Sequence, residues 1–213
     1  MKLYKILTVT LSLATATFGF SQNTSIGITG GYQLSSYDAF DFSEGYNGAN
    51  IGLTGVYSSS ENWGVGADLL FSRSGGSFSQ YDISDERVEN YRTQMDHIRF
   101  IPKFHVFFRD LEDDFRPTIF AGPGVGFLVR EAQLNGNDRS SDMQPVDVTG
   151  TLGAGFHYQM IPGLWLQANT AYTIGFVDLN KGQTVNPDRL STNNWSVNLG
   201  LAYSLNKTRK AVK

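Results

Sequence analysis

Two segments decide the fold: His97-Ile98-Arg99-Phe100-Ile101-Pro102-Lys103-Phe104-His105-Val106-Phe107-Phe108 and, beyond an acidic turn, Pro117-Thr118-Ile119-Phe120-Ala121-Gly122-Pro123-Gly124-Val125-Gly126-Phe127-Leu128-Val129-Arg130. In the first, Ile98, Phe100, Phe104, Val106 and Phe108 share one phase of a two-residue period. His97, Arg99, Lys103 and His105 share the other, with Ile101 and Phe107 as exceptions. In the second, Ile119, Ala121, Val125, Phe127 and Val129 alternate with Gly122, Gly124, Gly126 and Arg130. Period two is the strand signature, because successive side chains leave a strand on opposite faces. An apolar face backed by glycine and charge suggests a wall between oil and a narrow polar interior. Pro102 and Pro123 lack the N–H a ladder needs and predict a bulge or locally irregular pairing.

The alternation recurs on both sides of this hairpin. Upstream, Ile26, Ile28, Tyr32 and Leu34 alternate with Gly27, Thr29, Gly31 and Gln33. Ala49, Ile51, Leu53 and Tyr57, then Trp63, Val65, Ala67, Leu69 and Phe71, flank a turn at Ser59-Ser60-Glu61-Asn62. Downstream, three more strands are marked by Val148 to Tyr158, Leu164 to Phe176 and Trp195 to Leu205. The connections Ser35 to Gly48, Ser74 to Arg92, Glu131 to Pro145 and Asn180 to Asn193 are long and polar, while those near Ser60, Asp113 and Pro162 are short. About eight antiparallel strands with alternating short turns and long loops predict an all-β fold, a closed antiparallel transmembrane β-barrel.

Composition agrees. Of 213 residues 40% are hydrophobic, 13% aromatic and only 17% charged, with 23 glycines and no cysteine. No internal run approaches the roughly 20 apolar residues of a membrane helix, and the absence of cysteine excludes a disulfide scaffold or a lipid-anchored cysteine. Residues 1–21 read as a secretory signal peptide: Lys2 and Lys5 precede an apolar Ile6 to Phe20, with small Gly19 and Ser21 before a cut at Gln22. Residues 22–205 form the barrel and 206–213 a basic tail. Cleavage would leave 15 basic against 20 acidic residues, which argues against a nucleic-acid partner. Tyr57, Trp63, Phe107, Phe108, Phe115, Tyr158, Trp165 and Tyr203 cluster near short turns or the C-terminal strand end, as an interfacial girdle requires. Membrane lipid is therefore the first expected partner.

The final strand, Asn198-Leu199-Gly200-Leu201-Ala202-Tyr203-Ser204-Leu205, resembles the signal read by the barrel assembly machinery. Phe100-Ile101-Pro102-Lys103-Phe104, Ala121-Gly122-Pro123-Gly124-Val125-Gly126 and Gly153-Ala154-Gly155-Phe156 resemble the PorT-like outer-membrane β-barrel family of Bacteroidetes. That resemblance implies an eight-stranded barrel in the outer membrane. It does not imply a catalytic site, and membership in so broad a family does not imply the type IX secretion role associated with its namesake.

The candidate binding residues are the ionisable groups on the lumen phase: Asp68, Arg99, Lys103, His105, Arg130, Asp147 and His157. Inside so narrow a barrel they must pair with each other or with water. Arg99, Lys103 and Arg130 are expected to find Asp68 and Asp147. No nucleophile elbow, zinc-protease helix or phosphate-binding loop is present, and His97, His105 and His157 lack metal-ligand spacing, so no cofactor or metal is expected. Acids in the long loops (Asp38, Asp41, Glu44; Asp82, Asp85, Glu86, Glu89) have no EF-hand order. The expected function is non-enzymatic: a structural or surface-interaction barrel whose long loops meet an extracellular or envelope protein. The alternatives are an accessory component of protein secretion or envelope assembly, a soluble lipocalin-like carrier, and a lipid-modifying enzyme using Asp96 and His97.

Overall fold

The computed structural model describes residues 23–37, 44–82, 87–133, 144–177, 179 and 191–205. Eight strands follow one another along the chain: β1 (Thr24–Tyr37), β2 (Glu44–Ser58), β3 (Trp63–Asp82), β4 (Arg87–Phe107), β5 (Phe115–Gln133), β6 (Val146–Ile161), β7 (Leu164–Gly175) and β8 (Thr192–Ser204). Each pairs antiparallel with its neighbour, and β1 pairs with β8 to close the barrel. The expected signal peptide, the basic tail and loop acids Asp38, Asp41, Asp85 and Glu86 lie outside the described residues.

Burial is inverted relative to a soluble protein. Ile28, Ile51, Leu53, Phe100, Phe104, Leu152, Val197 and Leu199 are exposed, while Thr29, Asn50, Asp68, Arg99, Asp147, Thr151 and Asn198 are buried. Alternation produces this directly, since one phase of every strand turns inward and the other outward. Along β4 the outward apolar residues run from Ile98 to Phe104. With Phe108 just past the strand end, they span about the 9–11 residues that cross a hydrocarbon core.

Pro102 and Pro123 produce the locally irregular pairing expected of them, a gap in the ladder and not a bulge. On β4 and β5, Phe100 stands opposite Val125 and Phe104 opposite Ala121, which puts Pro102 directly opposite Pro123. The ladder is open between these points, and the register is the same on both sides. In an antiparallel sheet a residue directs its N–H and C=O toward one neighbour. Two opposed prolines therefore leave both missing donors in a single gap, and the outer edges keep Ala67 opposite Pro102 and Gly150 opposite Pro123. Gly122 completes the arrangement, because a Cβ there would fall on the Pro102 carbonyl.

The long connections are shorter than their polarity suggested. β3 and β4 pair continuously from Trp63 opposite Val106 to Asp82 opposite Arg87, so most of Ser74 to Arg92 is strand. Strands likewise enter Ser35 to Gly48, Glu131 to Pro145 and Asn180 to Asn193. Backbone pairing does not depend on side-chain pattern, and in these stretches of sequence the apolar alternation that betrays a strand is missing. Phe107 leaves the expected girdle and follows its strand phase instead: it points inward and is 1% exposed, whereas Trp63, Phe108, Phe115, Tyr158 and Tyr203 do face outward near the short turns.

The turn at Pro162 and Gly163 uses a positive φ of 88° at Gly163. Gly163→Ala is expected to lower stability by about 1–2 kcal/mol through backbone strain. Gly122→Ala should cost about 2 kcal/mol or more by overpacking against β4. Urea unfolding in detergent micelles, followed by heat-modifiable gel migration, reads both; an unchanged midpoint for Gly122→Ala would refute the close-approach argument.

Candidate functional site in the barrel lumen

At the short-turn end, Arg116, Thr118 and Phe120 continue the inward phase of Gly122 on β5, while His105 and Phe107 come from β4 and His157 from β6. The Arg116 guanidinium lies 3.9 Å from the Phe107 ring centre. It donates to Ser58 Oγ at 3.2 Å and to the Glu61 carbonyl at 3.0 Å. His105 stacks on Phe107 at 5.7 Å between ring centres and lies 5.4 Å from Phe120, and His157 meets Phe107 edge-on at 5.5 Å. Lys103 Nζ is 4.5 Å from the Phe120 ring centre. Four aromatic rings thus stand between two cations, each attracted to a ring face, and together they fill this end of the barrel.

The middle of the lumen holds two ion pairs. Lys103 pairs with Asp68, whose other oxygen accepts from Thr54 Oγ1 at 2.8 Å. Arg99 Nη2 meets Asp147 Oδ2 at 3.0 Å, with both side chains almost wholly buried. Asp68 and Lys103 border two cavities, one of about 40 Å³ toward the long-loop end and one of about 10 Å³ toward the aromatic cluster. Asn50 Oδ1, Asn194 Oδ1, Asn198 Oδ1 and Arg99 Nε have no partner among the described residues, and their residues line the larger one. Spaces this small and polar suit a few water molecules and nothing larger. Toward the long loops, Ser72 donates to Gln33 Oε1 at 3.0 Å, and Met95, Leu179 and Leu128 make a small apolar contact.

Six of the seven candidate residues therefore lie inside: Asp68, Arg99, Lys103, His105, Asp147 and His157. Arg130 does not. His97 stands opposite Leu128, but Asp96 stands opposite Arg130, a register shift that leaves Val129 as the extra residue of a β-bulge. One added residue reverses the phase, so Arg130 is exposed on the outer wall and pairs with neither lumen acid. Sequence reading also missed Arg116 and Phe120 as lumen groups, although both share the phase of Gly122. Asp96 and His97 do not face one another: Arg73 grips the Asp96 carboxylate on the outer wall at 2.8 and 3.1 Å, while His97 is buried on the lumen side. Among the described residues no three His, Cys, Asp or Glu side chains gather as metal ligands.

A closed antiparallel wall of eight strands, apolar outside and charge-paired within, defines a small transmembrane β-barrel. The chain belongs to the family described as "Outer membrane protein beta-barrel domain", whose profile matches residues 14–181. Two solved structures share the fold. Neisserial surface protein A is 14% identical, with 85% of this chain and 96% of that one covered and a TM-score of 0.52. OprG of Pseudomonas aeruginosa is 13% identical, with the same coverages and a TM-score of 0.54. Among curated proteins, none matches the chain in sequence. The protein is an outer-membrane barrel, which sets aside the soluble lipocalin-like reading.

Lys103→Met strands the Asp68 carboxylate in the lumen and is expected to lower stability by about 3 kcal/mol or more. Combining it with Asp68→Asn should restore most of that loss. Urea midpoints in micelles give the comparison; a double variant no more stable than the single one would show that the pair does not act as a unit.

Proposed function

We propose that the protein is a structural or surface-interaction barrel of the outer membrane, without enzymatic activity, that meets its partners through the long-loop rim rather than through the lumen. The lumen carries this reading: among the described residues the aromatic cluster and the two ion pairs occupy it, and the cavities beside them, about 10 and 40 Å³, suit water and not a solute. Contact must then occur outside. The final strand, Asn198 to Leu205, serves as the handle for the assembly machinery, and its pairing with both β1 and β7 makes it the closing strand.

A second reading, an accessory component of protein secretion or envelope assembly as in the PorT-like group, is favoured by the β3–β4 ribbon. β2 pairs with β3 no further than Ser77, and β5 pairs with β4 no further than Thr93. Phe78–Asp82 and Arg87–Arg92 therefore extend beyond the wall paired only with each other among the described residues. Such a ribbon offers backbone edges to a partner strand.

Reconstituted in planar bilayers and sugar-loaded liposomes, the wild-type barrel is expected to show no stepwise current and no sugar release. Replacing Phe107, Phe120 and Arg116 together by Ala should admit small ions. Flux through the wild type, or release of fatty acid from lipid A by the purified protein, would overturn the first reading. Shortening the β3–β4 ribbon to a turn below Ser77 should leave heat-modifiable folding intact; loss of exported cargo from the cells would select the second.

A further inference from the structure

The β-bulge at Val129 does more than remove Arg130 from the lumen. It places Arg130 in one transverse row of the outer wall, where Tyr32, Ala49, Arg73, Asp96 and Arg130 stand opposite one another in turn across β1 to β5. The row immediately below, Phe71, Ile98 and Phe127, is apolar and exposed, at 40%, 44% and 53%. Two residues along a strand rise roughly 7 Å, so the charged row lies just above the hydrocarbon boundary at the long-loop end. That is the headgroup depth of the outer leaflet.

Charge in this row is not balanced. Arg73 uses Nε and Nη2 to hold both oxygens of Asp96, at 2.8 and 3.1 Å, while its side chain stays 44% exposed. Gln94 also approaches Asp96 Oδ1 at 3.5 Å, and Tyr46 donates to Gln94 Oε1 at 3.1 Å, so the carboxylate is oriented from behind. Arg130 is exposed and has no ion-pair partner among the described residues. Two guanidiniums thus face one carboxylate that is already spent on the first. Ala49, next to Arg73, leaves the wall low at that side, and Tyr32 beyond it is an interfacial aromatic whose hydroxyl is tied to Asn47.

The geometry points to a lipid site on the outer wall, in which Arg73 and Arg130 hold the phosphate of an outer-leaflet lipid while its acyl chains lie against Phe71, Ile98 and Phe127. Guanidiniums are the side chains best suited to a phosphate, which they can grip through two parallel N–H bonds. The covalent continuity of phosphate and acyl chain matches the continuity of the charged row with the apolar one. Asp96 holds Arg73 through Nε and Nη2 and leaves Nη1 for the phosphate. This site is independent of the rim contacts proposed above and of the lumen.

The test is native mass spectrometry of the whole barrel in neutral detergent, titrated with monophosphoryl lipid A and, in parallel, with its dephosphorylated form. The wild type should retain the phosphorylated lipid more tightly. Arg73→Gln and Arg130→Gln should each weaken it by about fivefold, the value of one basic group near an anionic surface. Both forms should bind the double variant equally. Arg109→Gln, an exposed cation at the short-turn end, should bind like the wild type. Arg130→Gln breaks no ion pair among the described residues, so it carries the test even if Arg73→Gln impairs folding, which heat-modifiable migration would reveal. Equal retention of the two lipids by the wild type, or unchanged retention by Arg130→Gln, would overturn the proposal. Displacement of the lipid by an equal concentration of inorganic phosphate would also overturn it, by reducing the site to one for simple anions.

Discussion

A peptide group in hydrocarbon has no water to bond to, and everything else in this protein follows from that constraint. An open sheet would leave two strand edges bare in the membrane, at a cost of several kcal/mol for each unsatisfied group. Pairing β1 with β8 removes both edges. The opposed prolines are instructive in this light, because a proline is ordinarily an edge residue. Here two of them share one gap, so a single ladder is opened and β3 and β6 remain paired on either side.

Closure at eight strands then sets the character of the interior. A barrel of this size has room for side chains and little more. The inward phase must be small or self-complementary, and it is both: glycines and threonines line one part, while Lys103 with Asp68 and Arg99 with Asp147 occupy the rest. Four rings at the short-turn end are capped by cations, which lets aromatic bulk sit beside charge without an apolar core. The larger cavity is bordered by polar atoms that have no partner among the described residues. The lumen is accordingly a packed polar core, and the outer wall and the loop end are the surfaces open to other molecules.

Legibility in the sequence followed the physics of alternation. Wherever one face meets lipid and the other the lumen, as from Ile98 to Phe108 or Val148 to Tyr158, the two-residue period named the strand and the side each residue would take. The two central ion pairs could be anticipated because both acids and both cations lie on the inward phase. In the β3–β4 ribbon the signal vanished, since its sequence is polar in both phases; its pairing to Asp82 and Arg87 read as a polar loop.

What the sequence determined by itself was the class of fold, the direction of most side chains in the membrane and the chemistry of the interior, because each rests on a period that no tertiary contact needs to supply. What only the tertiary structure decided was register. Opposing Pro102 to Pro123 depends on how β4 slides against β5, and the phase of Arg130 depends on a single extra residue at Val129. Strict alternation counts residues along one strand, whereas a bulge arises from a mismatch between two. That mismatch moves a cation from the lumen to the lipid-facing wall, beside Arg73 and Asp96.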